Sequence, residues 1–259
     1  MKRNSDGKYQ AFYIEGIKVV DEILNSKKAI DILFIAYSKE LLISSNGGET
    51  LLKKLESKKG KIELIEFSKN VFEYIVDTKT PQGVLAVLKI PSNAKSIELV
   101  ETLDYNANYI IIDKVQDAGN LGTIIRTAEA FDIKNIICLE GTTDAYSQKV
   151  IRSSMGSIVR ENILYFDLEN FEKIIKKLKE NGYKIYATSL EKSDNLEEIK
   201  ITGKTIFVLG NEANGVSKEI KNLADKNVKI PMSNNTDSLN VGIASGILMY
   251  KQYIAKNSN

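Results

Sequence analysis

The chain has 259 residues, 43% of them hydrophobic and 27% charged, which fits a folded protein of one large or two modest domains and excludes a disordered or fibrous one. Cys138 is the single cysteine and histidine is absent, so disulfides, Cys/His zinc sites, His-based triads and His general bases drop out together. Lysine plus arginine number 36 against 34 acidic residues, a formal charge of +2, so bulk charge does not announce a nucleic-acid partner.

From the N-terminus, residues 13–25 (YIEGIKVVDEILN) place Ile14, Ile17, Val20, Ile23 and Leu24 at helical spacing, and IDILFIA at 30–36 reads as a buried strand. A helix is expected over about 49–57, a strand over 61–67, a helix over about 68–76, and a strand over 83–90 after the Thr80-Pro81-Gln82-Gly83 turn. These elements form a small α/β domain over 1–92. The polar PSNAKS segment opens the expected linker, 93–104, and a second domain is expected over 105–259. No apolar run reaches the roughly 18 residues of a membrane span, and the start lacks a signal-peptide core, so the expected location is cytoplasmic, with no membrane partner.

The second part opens with the strand YIIID (109–113), a loop, and a helix over 120–131. Further strands are expected at 135–139, 184–189, 205–210 and 227–232, with helical stretches around 145–158, 169–181 and 217–223 and a last helix over about 238–254. Continuous apolar strands alternating with helices indicate an α/β fold with a mainly parallel sheet covered on both faces. Such sheets bind ligands outside the carboxyl ends of their strands, which points to the loops after Asp113, Leu209 and Pro231.

Those loops hold the unusual residues. Asn120 stands at a helix start and Arg126 lies six residues on, about one and two-thirds turns. Taken singly, Asn120 reads equally as a helix cap and Arg126 as a surface partner for Glu129. Arginine is scarce, however: Arg3, Arg126, Arg152 and Arg160 stand against 32 lysines, and arginine supplies a planar, always charged fork that lysine does not. The loop 210–215 is bounded by glycines and carries one carboxylate, Glu212. It matches neither G-x-G-x-x-G nor G-x-x-x-x-G-K-[ST], which argues against dinucleotide and Walker-type sites. In the third loop Ser238 and Asn240 precede a helix thinned by Gly242, Ala244, Ser245 and Gly246, and Ser238 also reads as its cap.

Together N-L-G-T-I-I-R (120–126), L-G-N-E-A-N-G (209–215) and I-P-M…D-S-L-N-V (230–241) closely resemble the three motifs of the SpoU, or TrmH, family of RNA 2′-O-ribose methyltransferases. The resemblance extends over YSQKVIRSSMGS (146–157). F-Y-I-E-G (12–16) and T-P-Q-G-V-L-A-V (80–87) look like the ribosomal-protein-like substrate-binding domain that many members carry in front. It implies a SPOUT fold with a C-terminal trefoil knot, a homodimer, and S-adenosylmethionine as methyl donor, with no metal. Carried onto matching positions, Arg126 would act on the ribose hydroxyl, with Asn120, Glu212, Ser238 and Asn240 shaping the active site. Leu209, Gly210, Ile230 and Leu239, with Thr188 nearby, would hold the cofactor. Arg152 and Arg160 are candidates for RNA phosphate contact, and lysines such as Lys27, Lys28, Lys53, Lys54, Lys58, Lys59 and Lys61 read either as phosphate contacts or as a solvated face. By analogy the extra domain implies large-subunit ribosomal RNA, more than transfer RNA, as the target.

Methyl transfer to a ribose hydroxyl requires aligned oxygen, carbon and sulfur, and removal of a proton from an unreactive hydroxyl. An arginine is a poor candidate for a literal base, so Arg126 is expected to bind phosphate and stabilise the developing alkoxide, leaving phosphate, Glu212 or water to take the proton. A catalytically silent RNA-binding protein on the same fold would erode these motif residues, and all of them are present.

Overall fold

The computed structural model describes residues 11–26, 28–91, 103–201, 204–233 and 238–257; Arg3, Lys27 and positions 93–102 of the expected linker lie outside the described residues. The chain divides into two units, Met1–Pro91 and Ser92–Asn259.

The first unit runs β1 (Ala11–Glu15), α1 (Ile17–Asn25), β2 (Ile32–Tyr37), α2 (Lys39–Ser44), α3 (Gly48–Ser57), β3 (Leu64–Glu66), α4 (Lys69–Ile75) and β4 (Val84–Lys89). Its sheet has the order β1-β4-β2-β3, with β4 antiparallel to β1 and β2 and only β2 and β3 parallel. The helix expected from residue 13 begins at Ile17 instead. Phe12 and Ile14 alternate inward as strand residues, and Gly16, at φ 122°, makes a corner that L side chains rarely adopt. The side-chain oxygen of Gln82 accepts the Ile17 N–H at 2.9 Å and so stops the helix end in place of a local cap. Helix α2, which periodicity did not reveal, buries only Leu41 and Leu42 and is too short to show a repeat.

The second unit runs β5 (Tyr109–Ile112), α5 (Ala118–Ala130), β6 (Asn135–Leu139), α6 (Gln148–Ser153), β7 (Asn162–Phe166), α7 (Leu168–Glu180), β8 (Lys184–Thr188), β9 (Asp194–Asn195), β10 (Thr205–Leu209), α8 (Lys218–Leu223), β11 (Lys226–Lys229) and α9 (Val241–Asn257). Its seven strands lie in the order β7-β6-β5-β10-β8-β11-β9, and every neighbouring pair is parallel. All residues of β5, β6 and β10 are buried, which explains why they read as unbroken apolar runs. One core cluster packs Tyr109, Ile111, Ile137, Val208 and Ile185 against Phe171, Ile174 and Leu178 of α7.

Two expected elements differ. The helix around 145–158 is confined to Gln148–Ser153, because the backbone turns left-handed at Met155 (φ 51°) before a single 3-10 turn at Ser157–Val159. Strand β7 then fills the sheet edge that the sequence reading left empty. Sequence order reverses across the sheet between β5 and β10, which opens a crevice at their carboxyl ends. Among the described residues no helix is long and apolar enough to cross a membrane.

Candidate active site

Three loops rim that crevice. In the first, Asp117 rather than Asn120 caps α5: its Oδ1 accepts the Asn120 N–H at 2.8 Å. The Asn120 side chain is therefore spared from capping. In the second, Asn211 and Gly215 exchange both backbone hydrogen bonds, at 3.0 and 2.9 Å, so the loop doubles back on itself. A Cβ on Gly210 would lie 2.1 Å from the Gly215 carbonyl carbon, so only glycine fits there. In the third, Asn240 rather than Ser238 caps α9, its Oδ1 accepting the N–H groups of Gly242 and Ile243 at 2.9 and 3.3 Å.

The loops are tied together by side chains far apart in sequence. Glu212 Oε1 accepts from the Asn120 amide at 3.0 Å and the Asp117 N–H at 3.2 Å, while its Oε2 accepts the Gln116 N–H at 3.2 Å. Asn120 Oδ1 in turn accepts from the Asn240 amide at 2.9 Å. Two further contacts hold the same loops: Asn211 donates to the Lys114 carbonyl at 2.9 Å, and buried Asp113 accepts the Ser217 N–H at 2.7 Å. Partial desolvation raises the Glu212 pKa, but the Asn120 amide and the backbone donors outweigh it and hold the carboxyl below its ordinary value. Glu212 is thus an ionised anchor held by three donors, and a weak proton acceptor.

Arg126 is exposed and makes no hydrogen bond or ion pair with any described residue. The Glu129 that a plain surface reading assigns to it is held by Arg160, whose Nε and Nη2 both donate to the carboxylate, and by the Ser157 hydroxyl. Burial pushes the Glu129 carboxyl up, and these donors bring it below its usual range. The guanidinium of Arg160, expected at RNA phosphate, thus has an internal partner; Arg152 lies at the exposed end of α6. In the first unit, Lys54 is paired with Asp21.

A cavity of about 560 Å³ lies against the second and third loops. Thr188, Leu209, Gly210, Ile230 and Leu239 all line it, together with Glu212, Ser238 and Asn240. The Thr188 hydroxyl donates to the Val208 carbonyl at 2.9 Å, which holds the ends of β8 and β10 in register beside the cavity. Lining residues that sequence reasoning missed include Glu191, Asn211, Lys221, Lys229 and Met232. Asn211 carried a signal, since an Asn after a strand and four residues before a glycine suits a side-chain-closed turn; the lysines, in a lysine-rich chain, carried none. The volume is that of a small-molecule site, and its mix of aliphatic side chains and strand-end backbone groups suits a partly apolar nucleoside.

Comparison with known proteins follows the same division of the chain. Residues 107–250 match the SpoU rRNA Methylase family, and residues 2–86 match the MRM3-like substrate binding domain. The 23S rRNA (guanosine(2553)-2′-O)-methyltransferase RlmP of Bacillus subtilis (strain 168) is 32% identical over 244 residues, covering 94% of this chain and 88% of that protein. The 23S rRNA (guanosine-2′-O-)-methyltransferase RlmB of Nitrosomonas europaea is 30% identical over 177 residues, covering 68% of this chain and 67% of that protein. An AdoMet-bound rRNA methyltransferase from Sinorhizobium meliloti superposes with a TM-score of 0.78 at 28% identity, covering 94% of this chain and 87% of that one.

Proposed function

The chain belongs to the SpoU rRNA methylase family, so it is an RNA ribose 2′-O-methyltransferase that uses S-adenosylmethionine, and we propose that its target is large-subunit ribosomal RNA. Both named relatives act on 23S rRNA, and the first of them is similar across both units. The observation that carries the reading is the Glu212–Asn120–Asn240 chain, which joins three strand-end loops beside the cavity while Arg126 is left without a partner among the described residues.

When bound, S-adenosylmethionine supplies an electrophilic methyl group on a sulfonium. Leu209, Gly210, Ile230 and Leu239, which line the cavity, would hold its adenine and methionine parts, with Thr188 fixing the strand ends beside them. Arg126 grips an RNA phosphate and stabilises the oxyanion that develops on the ribose, a use that suits an exposed guanidinium. Glu212 positions Asn120 rather than taking the proton, because its carboxylate already accepts three hydrogen bonds and its pKa is depressed. The proton therefore passes to the RNA phosphate or to water. Ser238, at the cavity rim, orients the ribose. Arg152 contacts phosphate, and Arg160 braces the helix behind the site through Glu129.

The same reading carries a C-terminal trefoil knot, a cytoplasmic location, a substrate-binding first unit, and a homodimer. Support for the dimer is the face of α9 on which Ile243, Tyr250, Tyr253 and Ile254 stay exposed, an apolar surface that a second copy would cover. Light scattering on the purified protein should give twice the chain mass.

The test of function is transfer of labelled methyl to RNA from cells lacking this protein, with the RNA classes separated and the nucleosides analysed. Label in 23S rRNA as a 2′-O-methyl nucleoside is expected. Label confined to transfer RNA would refute the proposed target.

A further inference from the structure

The cavity wall carries three ionisable side chains that the mechanism leaves unused. Glu191 follows β8, Lys221 lies on α8 and Lys229 ends β11. None of the three side chains forms a hydrogen bond or ion pair with a described residue. Nearby charges do: Lys226 of β11 pairs with Asp194 of β9 at 2.7 Å, and Lys179 of α7 pairs with Asp225 at 3.1 Å. Glu212, the other carboxylate on the wall, is engaged by Asn120 and two backbone N–H groups. Two cations and one anion therefore stand without a partner among the described residues, around a space that is otherwise lined by aliphatic side chains and neutral polar ones such as Thr188, Asn211 and Ser238.

An anion that enters a space lined by two lysines gains from both, and charge-assisted hydrogen bonds are stronger than neutral ones. The cofactor carries one α-carboxylate and one α-ammonium on its amino-acid end, the charge pattern complementary to two lysines and a glutamate. We propose, resting on the cofactor assignment above, that Lys221 and Lys229 bind the α-carboxylate of S-adenosylmethionine and that Glu191 binds its α-ammonium. Placement favours this over a grip on RNA phosphates. Both lysines are half-buried and share the cavity with Leu209, Ile230 and Leu239, whereas phosphate-tracking cations stand on open surface.

The test is equilibrium binding by calorimetry on the full chain without RNA, using S-adenosylhomocysteine and 5′-methylthioadenosine, which lacks the amino-acid end. Wild-type protein is expected to bind S-adenosylhomocysteine more tightly. Lys221→Met and Lys229→Met should each weaken S-adenosylhomocysteine by about three- to fivefold, the upper part of the range for a partly exposed charge pair, while leaving methylthioadenosine within about twofold. Lys221→Arg, which keeps the charge, should retain most of the affinity, and Glu191→Gln should weaken S-adenosylhomocysteine selectively. Equal losses for both ligands, or no loss for either, would overturn the assignment of these residues. A wild-type protein that binds neither ligand would instead overturn the cofactor assignment itself.

Discussion

The two ends of helix α5 are built from the same kinds of residue and put to opposite uses. At its start, Asp117, Asn120, Glu212 and Asn240 link three loops in an open chain beside a cavity. At its far end, Glu129, Arg160 and Ser157 close on one another, with Glu161 and Lys134 paired alongside at 3.3 Å. The first arrangement leaves Arg126 without a partner among the described residues; the second engages its arginine. An arginine's role is decided by whether a carboxylate lies within reach of its fork, which rarity in the sequence does not reveal.

Arg126→Ala breaks the comparison most sharply. It should lower kcat by roughly 10²–10³-fold, the loss typical of one transition-state donor. Its unfolding free energy should stay within about 0.5 kcal/mol of wild type, because an exposed side chain without a partner among the described residues stabilises little. Gly210→Ala comes next. The added carbon has no room against Gly215, so the loop must move, and S-adenosylhomocysteine affinity by calorimetry should fall about tenfold or more, a shift of about 1.4 kcal/mol or more.

Arg160→Met should show the reverse of Arg126→Ala. Leaving Glu129 half-buried without its fork should lower stability in urea by about 1–2 kcal/mol, with kcat at saturating RNA unchanged. The smallest effect is in acid. Glu129 and Glu212 both have depressed folded pKa values, so their contributions are complete above the unfolded value near 4.5 and are lost as pH falls through the folded ones. Urea titrations below that pH should show a shallower acid-side fall in stability for Glu129→Gln and Glu212→Gln than for wild type.

The same contrast marks what could be read from the sequence. Strands β5, β6 and β10 declared themselves because burial on both faces leaves no polar position to break the run. Strand β1 was hidden because the inward residues Phe12 and Ile14 run straight into Ile17 and Val20 of α1, and a helical repeat absorbs them. Asn120, Glu212, Asn240 and the five cavity residues were legible through motif spacing. Their connections were not: Asn120 bonds partners 92 and 120 positions away, and capping falls to Asp117 and Asn240 where local statistics allowed Asn120 and Ser238. The pairing of Glu129 with Arg160, rather than with Arg126 three residues before it, is set by the turn at Met155 and the 3-10 segment that brings Ser157 and Arg160 against α5.

The most direct test of the account is the single-turnover rate of methyl transfer to unmodified 23S rRNA, measured across pH for wild type and Arg126→Lys with cofactor saturating. A guanidinium that grips phosphate and the developing oxyanion through a planar fork predicts a loss of about 10²-fold in the lysine variant, with cofactor affinity unchanged and label only on ribose 2′-oxygen. Retention of most of the wild-type rate with the same pH profile would contradict it.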